Sequence, residues 1–154
     1  MNFPETKDAP GSLYPGKLLC FGMGFSSQAL ARRLVPKGWQ VSGTVRGVQD
    51  EAKLRNISVI NYDCSNSTLE ISEAISRSTH LLITIPPQPS GDIVLNNFST
   101  EISRARHLRW IGYISSTGVY GDNQGAWVDE SSPLRATSNR NRQRIEVESA
   151  WFKI

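Results

Sequence analysis

The stretch KLLCFGMGFSSQALARRLVPKG, Lys17 to Gly38, decides how the rest of the chain is read. Lys17 to Phe21 is a short apolar run of the kind that forms a strand buried on both faces. Gly22 and Gly24 follow, where the lack of a side chain permits a tight turn and close approach to the backbone. From Phe25 the periodicity is helical, with Ala29, Leu30, Leu34 and Val35 on one side and Arg32 and Arg33 outside. A buried strand, a Gly-x-Gly turn and a helix N-terminus together make an anion site, because backbone amides and the positive end of the helix dipole converge there. A dinucleotide pyrophosphate is the usual occupant, and Gly22, Gly24, Phe25, Ser26 and Ser27 are the residues expected to meet it. The fingerprint G-x-G-x-x-G/A has Ser27 in its third small position, still small enough for helix and strand to approach. The alternative is an ordinary strand-to-helix turn that binds nothing.

A chain of 154 residues has room for one core and not for two domains of ordinary size. No apolar run approaches the length of a membrane span, so no membrane partner is expected. Residues 1–16 contain Pro4, Pro10, Gly11, Pro15 and Gly16 and read as a flexible arm before a domain over 17–154. Cys20 and Cys64 are too far apart for a metal motif and suit a reduced, cytoplasmic setting. A net charge of +3 fits a small anionic ligand or a solvated basic face as readily as nucleic acid.

Beyond Gly38 the sequence alternates strand and helix signals. Gln40–Val45, Ile57–Asn61, His80–Ile85 and Arg109–Ser115 read as strands two to five. Helices are expected near Asp50–Arg55, around Leu69 to Ile75, over Ile93–Leu108, and from about Arg140 to the end of the chain. This spacing predicts an α/β fold, a doubly wound parallel sheet of five strands with helices on both faces. Right-handed crossovers would gather the ends of strands one, two and four around one crevice.

Residues at those strand ends carry chemistry. Arg46 closes strand two, where an NAD-selective site commonly has an acidic residue; a guanidinium there favours the 2′-phosphate of NADP. It is equally readable as an exposed arginine opening a loop. Asp63, after strand three, suits either an adenine amino group or a turn cap. Ile85, Pro86 and Pro87 offer a rigid apolar wall beside a cofactor, or simply end a strand.

The segment Tyr113 to Asp122, YISSTGVYGD, resembles the end of strand five in extended short-chain dehydrogenase/reductases of the NAD(P)-dependent epimerase/dehydratase type. Trp127 to Pro133, WVDESSP, is similar to the family's V-x-E-x-x-P segment, and Pro86-Pro87 through Gly91-Asp92 resembles an atypical branch. The resemblance implies a Rossmann-type fold and an active-site hydroxyl at Ser116, with Tyr120 as a second candidate. Aligning Glu148 with the family's glutamate places Arg140 and Arg144 where Tyr and Lys of the Tyr-x-x-x-Lys pair belong. Arginine stays charged and is a poor proton shuttle.

Members of that family continue well past this helix, so the chain reads as a cofactor half that stops mid-helix at Ile154. Ile145, Val147, Trp151 and Phe152 would then leave an apolar patch and favour a homo-oligomer. The leading expectation is an NADP- (or NAD-) binding protein without efficient hydride transfer, its small-molecule substrate unnamed. Three others stand beside it. One is a non-catalytic nucleotide-binding or redox-sensing module; another is nucleic-acid binding through Arg135, Arg140, Arg142 and Arg144, which no groove-reading motif accompanies. The third is a methyltransferase, against which Arg46 argues, since that fold ends strand two in an acid.

Overall fold

The computed structural model describes residues 15–47, 56–63 and 69–154. Strands β1 (Lys17–Phe21), β2 (Gln40–Val45), β3 (Ser58–Asn61), β4 (His80–Ile83) and β5 (Trp110–Tyr113) form one sheet in the order β3-β2-β1-β4-β5. Every ladder is parallel. The helices are α1 (Phe25–Leu34), α2 (Leu69–Arg77), α3 (Ile93–Arg104) and α4 (Asn139–Trp151).

The central strands show why this sequence must be covered twice. Side chains alternate across a strand. In β1, Leu19 and Phe21 enter one core while Leu18 and Cys20 enter the other. In β4, Leu81 and Ile83 enter the first core and Leu82 the second. Ala31 of α1 seals the second, smaller core, with Leu30 and Leu34 packed beside it. Ile71 and Ile75 of α2 and Val94, Phe98 and Ile102 of α3 seal the first. The doubly wound arrangement follows, and the switch from one face to the other falls between β1 and β4.

Boundaries moved by a few residues. β4 ends at Ile83 rather than Ile85, because Thr84 turns its hydroxyl onto the carbonyls of Phe21 and Gly22 and Pro86 has no N–H to continue a ladder. α3 stops at Arg104 rather than Leu108, where Ala105 leaves helical geometry at φ −76°, ψ 85°. In α1, Ser27 and Ala31 are fully buried, one turn apart; Leu30, Leu34 and Val35 of the expected stripe pack against the second core, and Ala29 is half-buried. The helix expected near Asp50–Arg55, the arm up to residue 14 and Cys64 lie outside the described residues.

In α4 the Phe152 amide bonds back to Glu148. Two residues of the expected apolar patch are covered by the chain itself, Val147 being buried and Trp151 packed against the larger core, while Ile145 is half-buried and Phe152 exposed. Phe98 holds the centre of that core, its ring 5.8 Å from those of both Phe21 and Tyr62. Phe98→Ala is expected to cost about 3–5 kcal/mol through the cavity it leaves, read as a lowered urea midpoint with an unchanged slope.

Candidate functional site

Gly22 leaves β1 at φ +95°, a conformation that favours glycine, and a Cβ there would stand 2.6 Å from the Thr84 hydroxyl. The turn is fixed from both neighbouring strands. Gly22 N–H donates to Thr44 Oγ1 (2.8 Å) and Met23 N–H to the Thr44 carbonyl (2.8 Å). From the other side Thr84 Oγ1 donates to the Gly22 carbonyl at 2.8 Å. Ser27 also reaches that carbonyl, Oγ donating at 2.7 Å, and Gln28 Nε2 holds the Met23 carbonyl at 2.9 Å. The carbonyls of the turn are thus turned inward and satisfied.

With the Gly22 and Met23 amides spent on Thr44, the amides left for a ligand are those of the first turn of α1. Gly24 caps α1 without a side chain to accept from the first turn, and that turn contains no acidic residue. A helix start with neither a capping oxygen nor a carboxylate keeps its positive end available to an anion. Gly24 sits at φ −83° with open space where a Cβ would go. Its smallness is required by no neighbour in the fold, which fits a position kept clear for something that approaches the backbone.

This turn forms the floor of a crevice of about 950 Å³ at the carboxyl ends of the central strands. Of the residues expected at a cofactor, Gly22, Gly24, Arg46, Asp63, Ile85 and Pro86 line it. Ser27, Phe25, Ser26 and Pro87 do not: Ser27 is fully buried with its hydroxyl on Gly22, while Phe25 and Ser26 are exposed and Pro87 is half-buried beside the crevice. The third position of the glycine fingerprint is therefore a packing position that here also braces the turn. The two threonines, Thr44 and Thr84, line the crevice too and were missed by motif reading. Their only sequence signal is a hydroxyl near the end of each strand that flanks β1. Volume, uncapped amides and a cation on the rim fit a dinucleotide.

The Pro-Pro-x-x-x-Gly-Asp run builds one wall. Gln88 and Gly91 exchange two backbone hydrogen bonds of 2.9 Å, Gly91 sits at φ +103°, and Asp92 caps α3. Asp92 Oδ1 accepts from Val94 and Leu95 amides at 2.8 and 2.9 Å, and Oδ2 accepts from Trp151 Nε1 at 3.3 Å. The motif is a tight turn followed by a helix cap.

At the end of β5, Ser116 is exposed and its Oγ accepts from the Gly118 amide at 3.2 Å, capping a 3₁₀ turn over Thr117–Tyr120. The hydroxyl proton remains able to donate. Tyr120 closes the turn half-buried, and neither residue lines the crevice. The neighbouring Ser115 donates to Glu148 of α4. Arg140 is exposed, whereas Arg144 is buried with Nη1 donating to the Ile114 carbonyl at 3.1 Å. A phenol stands near Arg144, though not at the position of the Tyr-x-x-x-Lys tyrosine. It is Tyr113, on the core side of β5 and packed against the larger core, its hydroxyl buried and without a hydrogen-bond partner among the described residues. Burial raises the Tyr113 pKa and the nearby Arg144 charge opposes it only in part. Burial likewise pushes the Cys20 thiol up to about 11, so it is no nucleophile at neutral pH. Among the described residues no group of His, Cys, Asp or Glu is arranged to hold a metal, and no helix is long and apolar enough to cross a membrane.

Set against known proteins, the chain is 40% identical to a conserved protein of unknown function from Silicibacter pomeroyi DSS, at a TM-score of 0.75, over 88% of this chain and 48% of that one. It is 30% identical over 150 residues to Protein YeeZ of Escherichia coli (strain K12), covering 88% of this chain and 53% of YeeZ. A UDP-glucuronic acid 4-epimerase variant from Bacillus cereus, in complex with UDP-4-deoxy-4-fluoro-glucuronic acid and NAD, superposes at a TM-score of 0.64 with 18% identity, over 89% of this chain and 51% of the epimerase. The chain has the Rossmann-type fold of such epimerases and dehydratases. It spans about half the length of the curated relatives it matches. No protein-family model matches it.

The glycine turn of this Rossmann-type domain separates stability from binding. Gly24→Asp places a capping carboxylate on α1 in backbone geometry that aspartate accepts, so the thermal midpoint should hold or rise slightly. The same carboxylate stands where an anion would lie and should abolish dinucleotide binding by calorimetry. Retained binding in Gly24→Asp would show that the ligand does not use this helix start.

Proposed function

We propose that this chain is the dinucleotide-binding part of an epimerase/dehydratase-type protein, taking NADP in preference to NAD. The observation that carries this reading is the uncapped start of α1 facing a crevice whose rim bears Arg46. Arg46 lines the crevice at the end of β2 and is exposed, where a guanidinium matches a 2′-phosphate with paired hydrogen bonds. Asp63, at the end of β3, serves the adenine end, and Ile85 and Pro86 shape the wall next to the turn. The small-molecule substrate belongs to the part of the relatives that this chain does not span.

When bound, a nicotinamide cofactor supplies or accepts hydride. What this chain's residues add is binding and one hydroxyl donor, Ser116, with Tyr120 beside it. Positioned acid–base catalysis contributes typically about 10² to 10⁴-fold. A guanidinium, which both Arg140 and Arg144 carry, is a poor proton shuttle, and the Tyr113 hydroxyl is buried. This arrangement favours binding without efficient turnover, as in a nucleotide-binding or redox-sensing module.

Calorimetry should give NADP a Kd about 10- to 100-fold below that of NAD, with the difference largely erased in Arg46→Ala. Equal affinities in the wild type would overturn the preference. Absorbance assays over aldehydes, ketones and nucleotide sugars should show no appreciable hydride transfer by the chain as it stands. Clear turnover that survives both Ser116→Ala and Tyr120→Phe would place the chemistry elsewhere.

A further inference from the structure

At the opposite end of the sheet from the glycine turn, a cavity of about 440 Å³ opens among Lys17, Arg77, Thr79, Arg106, His107 and Arg109, with Ser76 completing it. None of its lining residues is acidic. We propose that this cavity is a second anion site, for a compact polyphosphate group such as a diphosphate, separate from the dinucleotide crevice.

Its geometry is set by the backbone. Lys17 opens β1, Thr79 precedes β4 and Arg109 precedes β5, and these three residues are stitched side by side. Lys17 N–H donates to Thr79 Oγ1 at 2.8 Å, Thr79 N–H to the Lys17 carbonyl at 2.9 Å, and Arg109 N–H to the Thr79 carbonyl at 2.8 Å. Adjacent strands lie about 4.8 Å apart, so Lys17 and Arg109 leave the sheet edge about 10 Å from each other. That span lets two long cationic side chains close on a pair of linked phosphates. Arg77 comes from the last turn of α2, and Arg106 and His107 from the turn after α3.

Cations often gather at helix C-termini simply to complement the dipole. Arg77 meets that description, since it sits in the last turn of α2 and pairs with Glu73 at 3.1 Å. Arg104 serves α3 in the same way and does not line the cavity. Lys17 and Arg109 lie at strand starts, where no helix calls for them, and among the described residues no carboxylate pairs with them or with Arg106. The hydroxyls of Ser76 and Thr79 are engaged with backbone carbonyls, so recognition falls to charge and to guanidinium hydrogen bonds. His80, next to Thr79, already senses the field: its pKa is lowered by burial first and by the Arg109 charge second.

The test uses the full chain and inorganic pyrophosphate as the probe, titrated calorimetrically at low salt. Saturable one-to-one binding is expected beside saturating NADP and equally in Gly24→Asp, which blocks the crevice. The double variant Arg106→Ala/Arg109→Ala should weaken it by about 10- to 100-fold while leaving the far-ultraviolet circular dichroism unchanged. Three results would overturn the proposal. One is no saturable binding; another is loss of binding in Gly24→Asp with none in the double variant, which would assign the probe to the glycine turn. The third is a single-stranded oligonucleotide binding far more tightly than pyrophosphate through the same arginines, which would make the edge a nucleic-acid face. Because Gly24→Asp is read in parallel with the double variant, failure of dinucleotide binding leaves this outcome legible.

Discussion

The structure depends on one carbonyl. Gly22 O, at the end of β1, accepts from Ser27 of the following helix and from Thr84 of the neighbouring strand. Those two bonds, with Thr44 holding the Gly22 amide, pin the point where the chain turns from the sheet into α1. The connections on either side of this point run to opposite faces, so a crevice opens beside it and cannot be filled by either set of helices. The Gly22 and Met23 amides are spent on Thr44, so what the pinned turn leaves open beside the crevice is the uncapped first turn of α1.

The sheet was legible because its central strands β1 and β4 are buried on both faces. Leu18-Leu19-Cys20-Phe21 and Leu81-Leu82-Ile83 are continuous apolar runs, which few other structures tolerate. Arg46 and Asp63 could be placed because they follow directly from strand ends. What escaped were the interactions that pair distant residues. Thr44 and Thr84 carry no pattern of their own; their role exists only once β2 and β4 flank β1. Tyr113 reads as an ordinary strand aromatic until α4 brings Arg144 to it. Ser27 matched a motif position, yet its hydroxyl faces the turn and not the crevice, a direction set by rotation of α1 that spacing alone does not resolve.

The last helix is docked against the fifth strand by two polar contacts: the buried Arg144 guanidinium is anchored on the Ile114 carbonyl, and the Ser115 hydroxyl donates to Glu148. The crevice is lined from the ends of β1, β2, β3 and β4, while Ser116 stands apart from it at the end of β5. Arg140, one turn before Arg144, stays exposed and takes no part in this docking.

Asp92 gives the molecule an optical handle. One oxygen of its carboxylate fixes the start of α3, next to Ser90 and Ile93 on the crevice wall, and the other holds the indole N–H of Trp151. One carboxylate thus joins the crevice wall to an indole at the end of α4. Among the other indoles, Trp127 is fully exposed and Trp39 and Trp110 stand with His80 on the opposite face of the sheet. A ligand that shifts the wall is therefore expected to change the emission of Trp151, a residue outside the crevice lining.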